Sequence, residues 1–150
     1  DGNANVTSVT LLEADITWTE GNYLGRTTNT FSFTESGVDQ DIIDHGTVIG
    51  YCYLNPNWYI LPFIWENAAG TSRQYVFHAY SLNTITLYAY MTSGVLDPNL
   101  ISEYRFLLIT DNTVTAAKGE SAEEAILSKL SKAGVDVNNY YDVIDYYGLE

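Results

Sequence analysis

The chain has 150 residues, 46% of them hydrophobic, and a net charge of −13. That length and apolar content suit one domain with a sizeable core and argue against wholesale disorder. So acidic a chain, with six Lys and Arg in all, repels a phosphate backbone, which argues against nucleic-acid partners. Thirteen Tyr against only 17% charged residues favour strands and turns over long solvated helices.

In chain order, Leu12, Ala14, Ile16 and Trp18 alternate with Glu13, Asp15, Thr17 and Thr19, the period of a half-buried strand. Val9 and Leu11 fall in the opposite phase and predict either a bulge near Leu11 or a two-sided start to the strand. Glu20-Gly21-Asn22 predicts a turn, and a second strand is expected over Arg26–Thr34 with Phe31 and Phe33 inward. Ile42 and Ile43, set among Asp39, Asp41 and Asp44, predict one helical turn closed by a left-handed Gly46. Four more strands are expected at Thr47–Leu54, Trp58–Trp65, Arg73–Ser81 and Thr84–Thr92, joined by short turns that suit antiparallel hairpins. A loop at Gly94–Pro98 and a last strand at Tyr104–Thr110 complete about seven strands of a mainly β, antiparallel sandwich.

The C-terminal region, residues 120–149, reads as a helical cap on that body. Ser121 and Glu124 form a capping box ahead of an apolar stripe at Ala122, Ile126, Leu130 and Ala133, and Gly134 ends the helix. Asn138 or Asn139 then caps a second short helix with Tyr140, Val143, Ile144 and Tyr147 on one face. No repeat or low-complexity linker divides the chain, so one domain is expected over residues 1–150. No apolar stretch approaches the roughly 20 residues of a membrane helix. The chain starts at Asp1 and not at Met, from which we expect that a targeting segment has been removed.

Candidate chemistry is sparse. Asp39, Asp41 and Asp44 offer the hard oxygens of a calcium site, but Asp39 as an N-cap and Asp41 beside a helix N-terminus explain two of the three without a metal. Asp136, Asn138 and Asp142 are likewise explained by capping. Cys52 lies in an apolar run and reads as a core residue. His78, flanked by aromatics, reads as a strand position, and His45 as a residue satisfying carbonyls at a helix end. Glu13, Asp15, Glu66 and Glu103 supply carboxylates, but nothing in their spacing marks a glycosidase pair. No nucleophile elbow, zinc-binding His-Glu-x-x-His or phosphate-cradling glycine loop occurs. Trp18, Trp58 and Trp65 either fill the core and its rim or stack on a carbohydrate. Trp58 and Tyr59, beside Asn55-Pro56-Asn57, are the expected ligand-binding residues in the second case.

The opening Asp1-Gly2-Asn3-Ala4-Asn5-Val6 resembles the exit from a collagen-like Gly-X-Y tract into a globular domain. The segment Val38–Val48, the run Glu103-Tyr104-Arg105-Phe106 and the stretch Asn139–Leu149 are similar to the helical turn, late strand and C-terminal helix of exported lipoproteins of Bacteroidota that carry such a tract. The resemblance implies residues 1–5 as the end of a linker and a Gram-negative envelope or surface location. It also implies a lipid anchor upstream and a structural or interaction role without catalysis. It carries no catalytic residues, cofactor or known partner, and leaves a glycan or a protein at the cell surface as the ligand.

Overall fold

The computed structural model describes residues 4–94, 100–114, 116 and 118–149. The expected loop at Gly94–Pro98 and the opening Asp1-Gly2-Asn3 therefore fall almost wholly outside the described residues. In chain order the strands are β1 (Ala4–Leu12), β2 (Thr19–Tyr23), β3 (Arg26–Thr34), β4 (Gly46–Leu54), β5 (Asn57–Ile60), β6 (Phe63–Glu66), β7 (Arg73–Ser81), β8 (Thr84–Met91) and β9 (Glu103–Asp111). Helix α1 (Gln40–His45) precedes β4, and α2 (Ala122–Lys132) and α3 (Tyr140–Tyr147) follow β9. The strands form two antiparallel sheets packed as a sandwich, one of four in the order β1-β9-β4-β5 and one of five in the order β2-β3-β8-β7-β6. No helix among the described residues is long and apolar enough to cross a membrane.

The four-stranded sheet is the middle of three layers. Its central strands β4 and β9 read as nearly continuous apolar runs because both of their faces are covered. Val48, Cys52, Tyr104, Phe106 and Leu108 face the other sheet, where they meet Val76, Ile85, Leu87 and Ala89. Ile49, Tyr51, Leu107 and Ile109 face the opposite way, against Ile126 and Leu130 of α2 and Tyr140, Val143 and Ile144 of α3. The Tyr51 hydroxyl, carried into that second core, donates to the Val137 carbonyl at 2.7 Å. The capping box at Ser121 and Glu124 is present, Asn139 caps α3, and Gly148 closes it in the left-handed region.

Several local expectations are corrected. The strand expected from Leu12 lies earlier: β1 pairs with β9 from Ala4 to Leu12 without a bulge, and Glu13–Asp15 form a 3-10 turn. Ile16 and Trp18 are partly buried as their period suggested, but on a segment crossing between the sheets. Glu20-Gly21-Asn22 is strand, and the hairpin turns instead at Leu24 and Gly25, both at positive φ. The run Trp58–Trp65 divides at Leu61-Pro62, where proline has no N–H to give a ladder, so β5 and β6 belong to different sheets. This split and the added β2 raise the strand count from about seven to nine. Gly46 is extended, not left-handed, and begins β4, where a Cβ would run into the Ile109 carbonyl oxygen. On α2 the buried positions are Ala125, Ile126 and Leu130, while Ala133 is exposed.

Candidate functional site

The two outer faces of the sandwich differ. The helices cover the four-stranded sheet, whereas the outward positions of the five-stranded sheet carry an aromatic cluster. Register places Tyr75 opposite Tyr90 and Phe77 opposite Tyr88, on the side away from core residues Val76, Leu87 and Ala89. The first pair stacks at 4.7 Å between centroids and 15° between planes, the second at 4.9 Å and 10°. Tyr23 leans on Tyr88 at 4.7 Å, and the Arg26 guanidinium sits 4.5 Å above the Tyr90 ring. The cluster thus spans β2, β3, β8 and β7, and Ile64 of β6 extends it at 54% exposure. At the β2–β3 tip beside it, Leu24 is 90% exposed at a φ of 50°. Among the described residues Glu66 is the only acidic side chain at an outward strand position of this sheet, and it is paired with Arg73 at 3.1 Å. The face is therefore nearly neutral in a chain of charge −13.

A separate cleft of about 390 Å³ opens beside Trp65, whose side lies toward Gln74 and away from the aromatic cluster. Met91, Asn67, Ser72 and Ser93 line it with Trp65, and Trp65 is 42% exposed. Asn67 organises the β6–β7 turn, its Oδ1 accepting from the N–H groups of Thr71 and Ser72 at 2.9 and 3.2 Å. The Ser72 hydroxyl donates to the Ser93 carbonyl at 2.6 Å, and the Ser93 hydroxyl to the Thr71 carbonyl at 3.3 Å. A second cleft, of about 490 Å³, lies between the end of α1 and the start of α2 and is lined by Asp44, His45, Glu120 and Glu123.

Trp58 and Tyr59 alternate to opposite faces of β5, so they share no stacking surface. Trp58 packs against Tyr140 and Tyr53, with the Arg105 guanidinium 4.7 Å above its ring. Arg105 also donates to the Tyr140 hydroxyl at 2.7 Å and to Glu103 at 2.8 Å, which ties Trp58 into the layer under α3. Tyr59 is exposed beside Phe63. Asp39 accepts from the Ile42 N–H as the N-cap of α1, Asp41 pairs with His45 at 3.0 Å, and Asp44 accepts from Gln40. His45 thus engages a carboxylate and not the helix-end carbonyls expected of it. No three His, Cys, Asp or Glu groups come together as a metal cage among the described residues. Asp136 and Asp142 accept from backbone N–H groups around the start of α3.

The titratable groups follow their surroundings. Burial pushes the Cys52 thiol up to about 12, so it stays protonated at neutral pH. His78 stands near Val48, its Nε2 2.8 Å from that carbonyl oxygen, and burial holds it below its ordinary value in the neutral form. Glu13 departs furthest among the carboxylates. Desolvation raises it to about 7, against the opposing hydrogen bond from the Trp18 indole at 3.0 Å. It lines neither of the two clefts. Its perturbation had no signal in the sequence, because it depends on the 3-10 turn that lays Glu13 against Trp18. The aromatic cluster was missed for a related reason: which Tyr residues share a face depends on a cross-strand register that single-strand alternation does not give.

Compared with protein-family models, with curated proteins and with solved structures, the chain matches none.

Proposed function

We propose that this chain is a non-catalytic interaction domain of an exported, envelope-associated protein. It engages a folded protein partner through the aromatic outer face of the five-stranded sheet. The observation that carries this reading is the contrast between the two sheets, one roofed by helices and the other carrying the exposed Tyr23 and the half-buried Tyr75, Phe77, Tyr88 and Tyr90 on its outer face without a covering element among the described residues. Tyr, Phe and Arg are the residue types enriched at the centre of protein interfaces, and Lys, Glu and Asp those depleted there. A neutral aromatic centre on a body of charge −13 complements a partner patch with an apolar middle and a basic rim.

The test is site-specific photo-crosslinking in the producing cell, with the crosslinker at position 88 and a control at the exposed Tyr141 of α3. The expected result is a discrete adduct from position 88 only. The crosslinked protein, once purified, should bind the domain more weakly as salt is raised and at least tenfold more weakly to Tyr23→Ser/Tyr75→Ser, a change of about 1.4 kcal/mol. Equal labelling from both positions, or binding indifferent to the double substitution, overturns the reading.

A further inference from the structure

We propose that the cleft beside Trp65 is a binding site for a neutral, polyhydroxylated ligand, a short oligosaccharide or the end of a glycan chain. The site is distinct from the aromatic face and does not depend on it. At about 390 Å³ it falls within the range of small-ligand pockets, and it combines an aromatic wall with a few fixed polar groups, as such pockets do. The indole supplies the wall. Its π face is electron-rich, and the aliphatic C–H face of a sugar ring, slightly positive, packs against it.

The polar groups decide the ligand class. The Ser72 and Ser93 hydroxyls already spend their protons on the Ser93 and Thr71 carbonyls, so what their oxygens can offer a ligand is lone pairs. At those two oxygens a ligand that brings hydroxyl donors is satisfied, whereas a carboxylate, sulfate or phosphate meets acceptor against acceptor. The Asn67 and Gln74 amides and the Thr71 hydroxyl add lining of both donor and acceptor character, which a polyhydroxylated ligand matches. No charged side chain lines the cleft among the described residues, in contrast to the cleft holding Asp44, His45, Glu120 and Glu123. The surrounding charge of −13 further disfavours an anion. The rim formed by the β6–β7 turn and the residues just after β8 is also set before a ligand arrives. Asn67 is held by Thr71 and Ser72, and the segment after β8 is tied to β7 by the Thr92 N–H to the Arg73 carbonyl at 2.9 Å and the Arg73 N–H to the Thr92 hydroxyl at 2.8 Å. Little ordering of these segments is left for binding to oppose.

The experiment is titration of the whole chain with neutral oligosaccharides built from glucose, mannose, xylose, galactose and N-acetylglucosamine, and with oligogalacturonate as the anionic comparison. It is read by calorimetry and by the indole N–H resonances of the three Trp. The expected result is binding of at least one neutral series that shifts the Trp65 indole, falls at least tenfold in Trp65→Ala and is partly kept in Trp65→Phe. Tyr23→Ser/Tyr75→Ser leaves it unchanged, which separates this site from the aromatic face. Trp65 is exposed, so Trp65→Ala retains the fold, and its urea midpoint verifies that. No binding by any neutral series at millimolar concentration overturns the proposal. So does preference for oligogalacturonate, or loss of binding in Trp58→Ala with Trp65→Ala unaffected.

Discussion

Replacing Lys129 by Met removes the cation that holds the last residue of β9 to α2. The Asp111 side chain is fully buried, and the Lys129 ammonium meets its Oδ2 at 2.6 Å while reaching solvent at 31% exposure. Thr113 donates to Oδ1 twice, from its N–H at 2.9 Å and its hydroxyl at 2.5 Å. Breaking a buried pair by removing one partner costs about 3–5 kcal/mol. Thr113 goes on donating, and the exposed end of the Lys129 site lets water approach, so we expect a loss of about 2–3 kcal/mol at pH 7. The pH dependence gives the sharper check. Burial alone would raise the Asp111 carboxyl, but hydrogen bonds from Lys129 and Thr113 outweigh it and hold the group below its ordinary value. A depressed native pKa contributes stability that is present above the unfolded value of about 3.9 and is lost as pH falls through the native one. The deficit of Lys129→Met should therefore be largest near neutrality and shrink as pH is lowered from about 5 to 3. Urea unfolding at several pH values measures it, and adding Asp111→Asn should recover at least half of the loss at pH 7. A deficit under about 0.5 kcal/mol, or one constant from pH 7 to 3, would refute the reasoning.

Glu13 works in the opposite direction. Its native pKa of about 7 lies above its unfolded value, so its favourable contribution is present below about pH 4.5 and is lost as pH rises through 7. Discounted for the partial exposure of the group, Glu13→Gln should remove about 1 kcal/mol of pH-dependent stability over that span, and unfolding curves with the wild-type slope would contradict this. Cys52 is fully buried with its thiol pushed up to about 12, so a disulfide reagent at pH 8 should react at the rate of unfolding and speed up only with denaturant. Gly46→Ala places a methyl against the Ile109 carbonyl oxygen, a backbone atom that cannot swing aside. We expect a loss of more than about 2 kcal/mol in urea, whereas Gly21→Ala, with open space around its Cβ, should cost under about 1.

The architecture was legible where one strand carries its own evidence. The apolar run Val48-Ile49-Gly50-Tyr51-Cys52 and the run Thr84–Met91 mark strands whatever their neighbours, whereas the coverage of β4 on both faces depends on the helices that follow β9. The Ser121 box and a cap at Asn138 or Asn139 were legible because capping needs only three or four residues, and the structure selects Asn139. What failed depended on distant partners. Trp58–Trp65 has the composition of one strand, and only the assignment of its halves to different sheets shows that Pro62 divides it. Leu24 adopts a positive φ that Leu rarely accepts, so no turn signal marked the tip, and Gly21, which resembles one, is strand. Trp58 looked available for a ligand because the Arg105 and Tyr140 that cover it lie far along the chain. The surfaces proposed for binding were the least legible part. The stacked pairs and the Trp65 cleft exist only once β6, β7 and β8 are in register.

The view that the aromatic face serves partners and not the fold is tested most directly by comparing urea stabilities of Tyr23→Ser/Tyr75→Ser and Phe106→Ala. Phe106 is fully buried between the sheets, and its truncation should cost about 3–5 kcal/mol. The double substitution removes one ring of the Tyr75–Tyr90 stack and the Tyr23 ring that leans on Tyr88, and should cost no more than about 2 kcal/mol. A double variant as unstable as Phe106→Ala would contradict the account, because it would make those rings part of the core.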